Sequence, residues 1–189
     1  MKHKGTKTLE TKSLILRKFT KDDIKPSYKN WTSDDKVCKY VTWPKHESVE
    51  VTKKILSEWI DGYKNDNFYQ WAICLKNGEV IGTISVVDID EDIESIEIGY
   101  VIGYDYWGNG YVHEAFEIVI KYLFDEVEVN RIEARHDVEN PNSGRVMLKS
   151  GLTYEGCLRQ ALKNHSGKLV DIKAYSILRE EYLSKKKSI

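Results

Sequence analysis

Apolar and polar positions alternate between residues 9 and 19, with Leu14 and Leu16 set against Ser13, Ile15 and Arg17, the period-two pattern of a strand near a sheet edge. The pattern changes at Thr20, a residue of helix-cap type followed by Asp22 and Asp23, where a helix dipole favours acids, and a helix is predicted to begin there. An aromatic, broken stretch from 31 to 44 follows. Ser48 then opens a longer amphipathic helix through Val51, Ile55, Trp59 and Ile60 to Tyr63. Alternation returns over 68 to 75 and stops at Asn77-Gly78, a strong hairpin signal, with 80 to 89 as the returning strand and 93 to 102 as the next antiparallel one. Val112, Ala115, Phe116, Val119, Ile120, Leu123 and Phe124 then recur at helical spacing, which predicts a helix from 111 to about 127. Residues 131 to 138 read as a strand lying parallel to 96 to 102 through that helical crossover. Pro141 suits the first turn of a short helix ending at Gly151, and 153 to 162 with 169 to 178 make a final hairpin around Asn164-His165-Ser166-Gly167. The elements give one α/β domain over residues 1 to 189, with 1 to 7 and 184 to 189 as flexible tails.

Composition narrows the functional classes. The chain carries 29 Lys plus Arg against 30 Asp plus Glu, a formal charge of −1, so no positive field is available to hold a nucleic acid. The three cysteines, Cys38, Cys74 and Cys157, are far apart and form no metal-ligand spacing with the histidines, so they read as buried thiols and no metal is expected. There is no charged-then-apolar leader and no run of roughly 18 apolar residues, which disfavours secretion and membrane spanning and makes a cytoplasmic location the expectation.

The chemistry concentrates where the strand ending at Ile102 meets the helix starting at Tyr111. Gly108 and Gly110 allow a tight loop whose backbone N–H groups turn toward an anion at the helix N-terminus, and a phosphate or pyrophosphate is the natural guest. Gly110 is followed by Tyr111-Val112 rather than Lys-Ser or Lys-Thr, which excludes a nucleotide P-loop. His113 stands where a dinucleotide fingerprint needs a third glycine or alanine, and the loop lies past mid-chain, which weakens that reading too. Asp105-Tyr106-Trp107-Gly108-Asn109-Gly110 resembles the acyl-CoA pyrophosphate loop, Gln/Arg-x-x-Gly-x-Gly/Ala, of the GNAT N-acetyltransferase superfamily. With Tyr111 and Glu114-Ala115 it is similar to the RimJ/RimL branch of ribosomal-protein N-terminal acetyltransferases. Asn140-Pro141-Asn142-Ser143 and Lys149-Ser150-Gly151-Leu152 supply a second match in the right order, and the likeness spans about residues 9 to 183.

The resemblance implies a GNAT fold: a mixed, mostly antiparallel sheet of about seven strands with a splayed parallel pair, flanked by about four helices. It implies acetyl-CoA as cofactor and an amine acceptor, a protein N-terminus or a small amine such as an antibiotic or polyamine; a non-catalytic acyl-CoA sensor is the alternative. Homodimers are common in that family, though no pattern here specifies one. The implied cofactor contacts are the backbone of Val101 and Ile102 for the pantetheine arm, the loop residues Trp107, Gly108, Asn109, Gly110, Tyr111 and Val112 for the pyrophosphate, and Asn140 for the arm or an ordered water. Ser143 matches the serine that protonates the departing thiolate, its other reading being helix-cap chemistry. Glu97 matches a position where some members carry a carboxylate base; alternation with Ile96 and Ile98 equally allows a glutamate facing the surface. His113 and His136 read as packing or solvent-facing residues. Two positions depart from the pattern: Asp105 replaces Gln or Arg, and Leu162 follows Arg159-Gln160-Ala161 where a carboxylate is frequent.

Overall fold

The period-two stretches all enter one sheet. The computed structural model describes residues 1–187. Its strands are β1 (Leu9–Glu10), β2 (Leu14–Arg17), β3 (Gln70–Leu75), β4 (Val80–Asp90), β5 (Ser95–Ile102), β6 (Arg131–Asp137), β7 (Thr153–Lys163) and β8 (Leu169–Leu178). They lie in the order β1-β2-β3-β4-β5-β6-β8-β7, and every neighbouring pair is antiparallel except β5 with β6. The sheet has eight strands rather than about seven because the alternation over 9 to 19 is broken by a turn. The Thr11 N–H donates to the Leu14 carbonyl at 3.0 Å, and the Ser13 N–H donates to Glu114 Oε1 at 2.7 Å.

Six α-helices flank the sheet among the described residues: α1 (Ile24–Ser27), α2 (Asp35–Cys38), α3 (Val49–Gly62), α4 (Tyr111–Tyr122), α5 (Pro141–Lys149) and α6 (Arg179–Lys187). The helix predicted from Thr20 is fragmented into a 3-10 turn, α1 and a π-helical turn at Tyr28–Thr32. Pro26 lies inside α1 and has no N–H to give to the helix ladder. α4 likewise ends in a π-helical turn, Leu123–Val127.

The two segments expected to be loose tails fare differently. Residues 1 to 7 are docked: the Lys2 N–H donates to the Val127 carbonyl and the Gly5 N–H to Asp66, each at 2.7 Å, and the Trp71 Nε1 donates to the Lys7 carbonyl at 2.7 Å. Buried Thr6 donates to the Phe68 carbonyl (3.0 Å) and accepts from the Gln70 N–H (2.9 Å), so this segment finishes the start of β3. Polar composition suggested a loose end, but these side chains satisfy backbone groups that would otherwise be buried unpaired. Residues 184 to 187 continue α6, which packs Tyr182 on Phe124 with ring centroids 5.0 Å apart; 188 and 189 lie outside the described residues.

Alternation along the strands divides the core in two. Trp71, Ile73, Ile96, Ile98 and Ile102 face Ala115, Phe116, Val119 and Ile120 of α4, while Ala72 and Cys74 face Leu56 of α3, Trp31 and Val37. Burial pushes the Cys38 thiol up to about 12 and that of Cys74 to about 11, as inert core thiols require. Cys157 departs from the expected burial: it sits exposed on the edge strand β7. No described helix is long and apolar enough to cross a membrane, and no metal-binding cluster occurs among the described residues. Thr6→Val, which removes both hydrogen bonds of a buried hydroxyl, is expected to cost about 1–3 kcal/mol of unfolding free energy in a urea titration; an unchanged midpoint would show that the Thr6 hydroxyl does not contribute to the fold.

Candidate active site

The parallel pairing of β5 and β6 is short. It joins Ser95 to Arg131, Ile96 to Ile132 and Glu97 to Glu133, and stops. Beyond it β5 runs on against β4 as far as Ile102, and β6 runs on against β8 as far as Asp137. The strands therefore part, leaving a gap edged by unpaired backbone. The Gly103 N–H donates to the Ile81 carbonyl at 2.8 Å, which fixes the phase of the β4 ladder: Val101 pairs toward β4, and the backbone groups of Tyr100 and Ile102 turn into the gap. Of the two residues assigned to the cofactor arm from the sequence, Ile102 offers its backbone N–H, its carbonyl being taken by Trp107 Nε1, and Val101 offers only its side chain. Tyr100, which the sequence reading passed over, offers its backbone as well.

The glycine loop closes one end of this gap. Gly108 and Gly110 have φ of 78° and 80°, the left-handed region that favours glycine, and a Cβ at either would meet open space. The Trp107 Nε1 donates to the Ile102 carbonyl at 2.9 Å, and the Asn109 amide donates to the carbonyls of Tyr106 (3.1 Å) and Trp107 (3.2 Å), so these two side chains brace the loop. The backbone N–H of Trp107 is taken by Tyr104 at 3.1 Å. From Gly108 to His113 the N–H groups have no protein acceptor among the described residues, and the first helical bond of α4 is made by Glu114 to Gly110. Those orphan donors and the positive end of the α4 dipole could hold an anion. Asp105 is exposed and absent from the lining, so its carboxylate does not oppose an anion there.

A cavity of about 380 Å³ runs from this loop along the gap and is bordered by Arg145 and Lys149 of α5. Their i, i+4 spacing puts both cations on one helical face. That spacing was legible in the sequence, but only the fold shows that the face meets the glycine loop. Asn140 and Ser143 stand at the start of α5. The Asn140 Nδ2 donates to Ser143 Oγ at 3.1 Å, which leaves the hydroxyl proton free to point elsewhere. The Tyr100 hydroxyl donates to the Ser143 carbonyl at 3.0 Å and so ties α5 to β5 across the gap. Gly144 lets the helix lie directly on β6, since a Cβ there would come within 2.5 Å of His136 Nε2. His136 is accordingly a packing residue, its pKa lowered by burial, and His113 bonds Ser150 at 2.9 Å.

On the opposite face of the sheet lies a larger cavity of about 710 Å³. Trp43, Trp59 and His46 form an aromatic wall, with Trp31 stacked on Trp59 at 6.4 Å and Trp43 set edge-on to Trp31 at 6.2 Å. Ala161 and Leu162 of β7 line another side. Glu97 also lines it, its side chain 19 % exposed and ion-paired to Arg135 of β6. Burial raises the Glu97 pKa, and Arg135 counteracts part of that rise. The two cavities share Tyr40, Val41, Tyr100, Val101, Asn140 and Ser143, so these residues surround the passage between them. An anion held at the loop, an extended arm in the gap and a nucleophile in the aromatic cavity would all meet beside Ser143.

Comparison with known proteins agrees with this geometry. Residues 13–153 match the acetyltransferase (GNAT) domain family. The uncharacterised N-acetyltransferase p20 of Bacillus licheniformis is 33% identical over 93% of this chain and 98% of its own length. The ribosomal-protein-serine acetyltransferase of Escherichia coli is 28% identical over 82% of this chain and 88% of its own. A GNAT-family acetyltransferase structure from Bacillus anthracis superposes with a TM-score of 0.81 at 28% identity, covering 92% of this chain and 99% of that one. The parted strands, the glycine loop and these matches together place the chain in the GNAT family of acetyl-CoA-dependent N-acetyltransferases.

Proposed function

We propose that the enzyme acetylates the N-terminal amine of a protein by direct attack in a ternary complex, with Glu97 as base and Ser143 as acid. The observation that carries this reading is the shared border of the two cavities, where Ser143 faces the cofactor side and the acceptor side at once. The residues present fit acetyl-CoA: open glycine positions, orphan N–H groups and two cations suit its phosphates, and the unpaired edge of β5 suits an extended amide-bearing arm. Acetyl-CoA supplies the acetyl group as an activated thioester. Glu97, reached from the acceptor cavity, takes a proton from the incoming ammonium and leaves a nucleophilic amine. A backbone N–H of Ile102 or Tyr100, turned into the gap, would serve as donor to a carbonyl oxygen gaining charge. Ser143, its oxygen already accepting from Asn140, gives its hydroxyl proton to the departing thiolate. The balance is one amide and one thiol formed from one thioester and one amine.

A protein N-terminus as acceptor is supported by the likeness to the ribosomal-protein-serine acetyltransferase. One observation favours a compact amine instead: the acceptor cavity is walled by Trp43, Trp59 and His46, and Leu162 adds apolar surface to it. A competition assay separates the two. With acetyl-CoA and equal amounts of serine- and alanine-initiated hexapeptides, spermidine and kanamycin, mass spectrometry should find the acetyl group on a peptide α-amine. Acetylated spermidine or kanamycin with untouched peptides would establish the compact-amine reading. No product from any amine, with acetyl-CoA still bound, would make the chain a sensor.

Acetyl-CoA at about 100 times its Kd should stabilise the fold by roughly 2.7 kcal/mol and raise the thermal midpoint, while NAD and ATP should not. Ser143→Ala is expected to lower kcat about 100-fold with acetyl-CoA affinity nearly unchanged, and full turnover would remove Ser143 from the mechanism. Replacing Arg145 and Lys149 together by Ala should weaken acetyl-CoA binding, with the difference from wild type narrowing as salt is raised. An equal loss at all salt concentrations would mean that these cations do not act on the phosphates.

A further inference from the structure

Glu97 occupies a particular place in the sheet. It is the last β5 residue paired with β6, opposite Glu133, and the gap begins with the next residue. Arg135 lies two positions further along β6, where no ladder joins the two strands. Its guanidinium reaches back across the opening to the Glu97 carboxylate, and among the described residues that is the only hydrogen bond its side chain makes. Both side chains line the acceptor cavity. We infer that Arg135 is a positioning residue for the reaction: it anchors the Glu97 carboxylate across the mouth of the gap, on the acceptor side, where the ammonium must deliver its proton. The inference rests on the assignment of Glu97 as base.

The surrounding charges show why an anchor is needed. Asp88 of β4 pairs in register with Glu97, and Glu133 of β6 lies opposite it; both are acids and both raise its proton affinity, as burial does. Glu133 is itself held by Arg131 at 2.7 Å, so that cation is already engaged. His46 faces the same cavity from the loop before α3. Arg135 is the cation that meets the Glu97 carboxylate directly, and it opposes burial and both acids. A base must be ionised to work, so any rise in its pKa moves the acid limb of the rate profile to higher pH. Removing Arg135 leaves burial and the two acids unopposed and drives the limb upward.

The test is a carbon-13 titration of the Glu97 carboxyl in the full chain, together with pH profiles of kcat/KM for whichever amine of the competition assay turns over fastest. Arg135→Gln should raise the carboxyl midpoint and the acid limb together by about one pH unit or more, with the rate recovering at high pH. Arg135→Lys, which keeps the charge, should return both close to wild type. Should Arg135→Gln fold poorly, Arg135→Met preserves the bulk of the side chain and is read in the same way. A variant that loses stability or rate equally at every pH, with the carboxyl midpoint unmoved, would overturn the inference and leave Arg135 a structural residue. The parent assignment is checked separately: if Glu97→Gln keeps the wild-type rate and acid limb, Glu97 is not the base, whatever Arg135 does.

Discussion

The constraint on which this site depends is the early end of one parallel ladder. β5 and β6 share only the pairs from Ser95 to Glu97, after which each strand keeps its other neighbour and loses this one. Unpaired backbone in a sheet interior is costly unless a partner or water satisfies it. Here the unpaired edge is left open, and an extended arm with amide groups can replace the missing strand. The opening also connects the two faces of the sheet. The loop, α4 and α5 lie on one face, and the aromatic cavity with Glu97 lies on the other. A nucleophile can approach from the second face without crossing the phosphate site.

Holding the opening at a fixed width requires ties that do not depend on the ladder. Tyr100 supplies one, with its ring on Phe116 of α4 and its hydroxyl on the Ser143 carbonyl of α5. The contact of α5 with β6 through Gly144 supplies another. The Glu97–Arg135 pair spans the mouth itself. A chain with no net positive field can still offer a local site suited to a polyanion: backbone N–H groups without protein acceptors at one helix start and two cations one turn apart. A formal charge near zero therefore says nothing against a phosphate-bearing cofactor.

Much of this was legible in the sequence because local rules fixed it. Strand alternation, the Asn77-Gly78 turn, Gly108 and Gly110 at a helix start and Pro141 at the first turn of α5 each have a short-range cause, and each element formed close to its predicted bounds. Apart from the helix broken at Pro26, the misses have long-range causes. The docking of residues 1 to 7 depends on Phe68 and Gln70, far along the chain, and the extra strand depends on Glu114 reaching the turn at Ser13. The phase of β5, which turns Tyr100 and not Val101 into the gap, is set by the bond from Gly103 to Ile81. No period along one strand can reveal which of its backbone groups its neighbour has claimed.

The same distinction separates the cofactor half of the site from the acceptor half. The cofactor half is built largely from backbone direction, so a short motif encodes it and resemblance carries it across distant relatives. The proposed acceptor half is lined by side chains that meet only in the fold: Trp43, Trp59 and His46 from one region, Leu162 from the last hairpin, and Glu97 and Arg135 from adjacent strands. Side-chain walls change with single substitutions, whereas a glycine loop does not tolerate them at its left-handed positions. On the proposed reading, acceptor choice rests on the part of the structure that the chain's motifs describe least, and Leu162 puts apolar surface directly on that cavity.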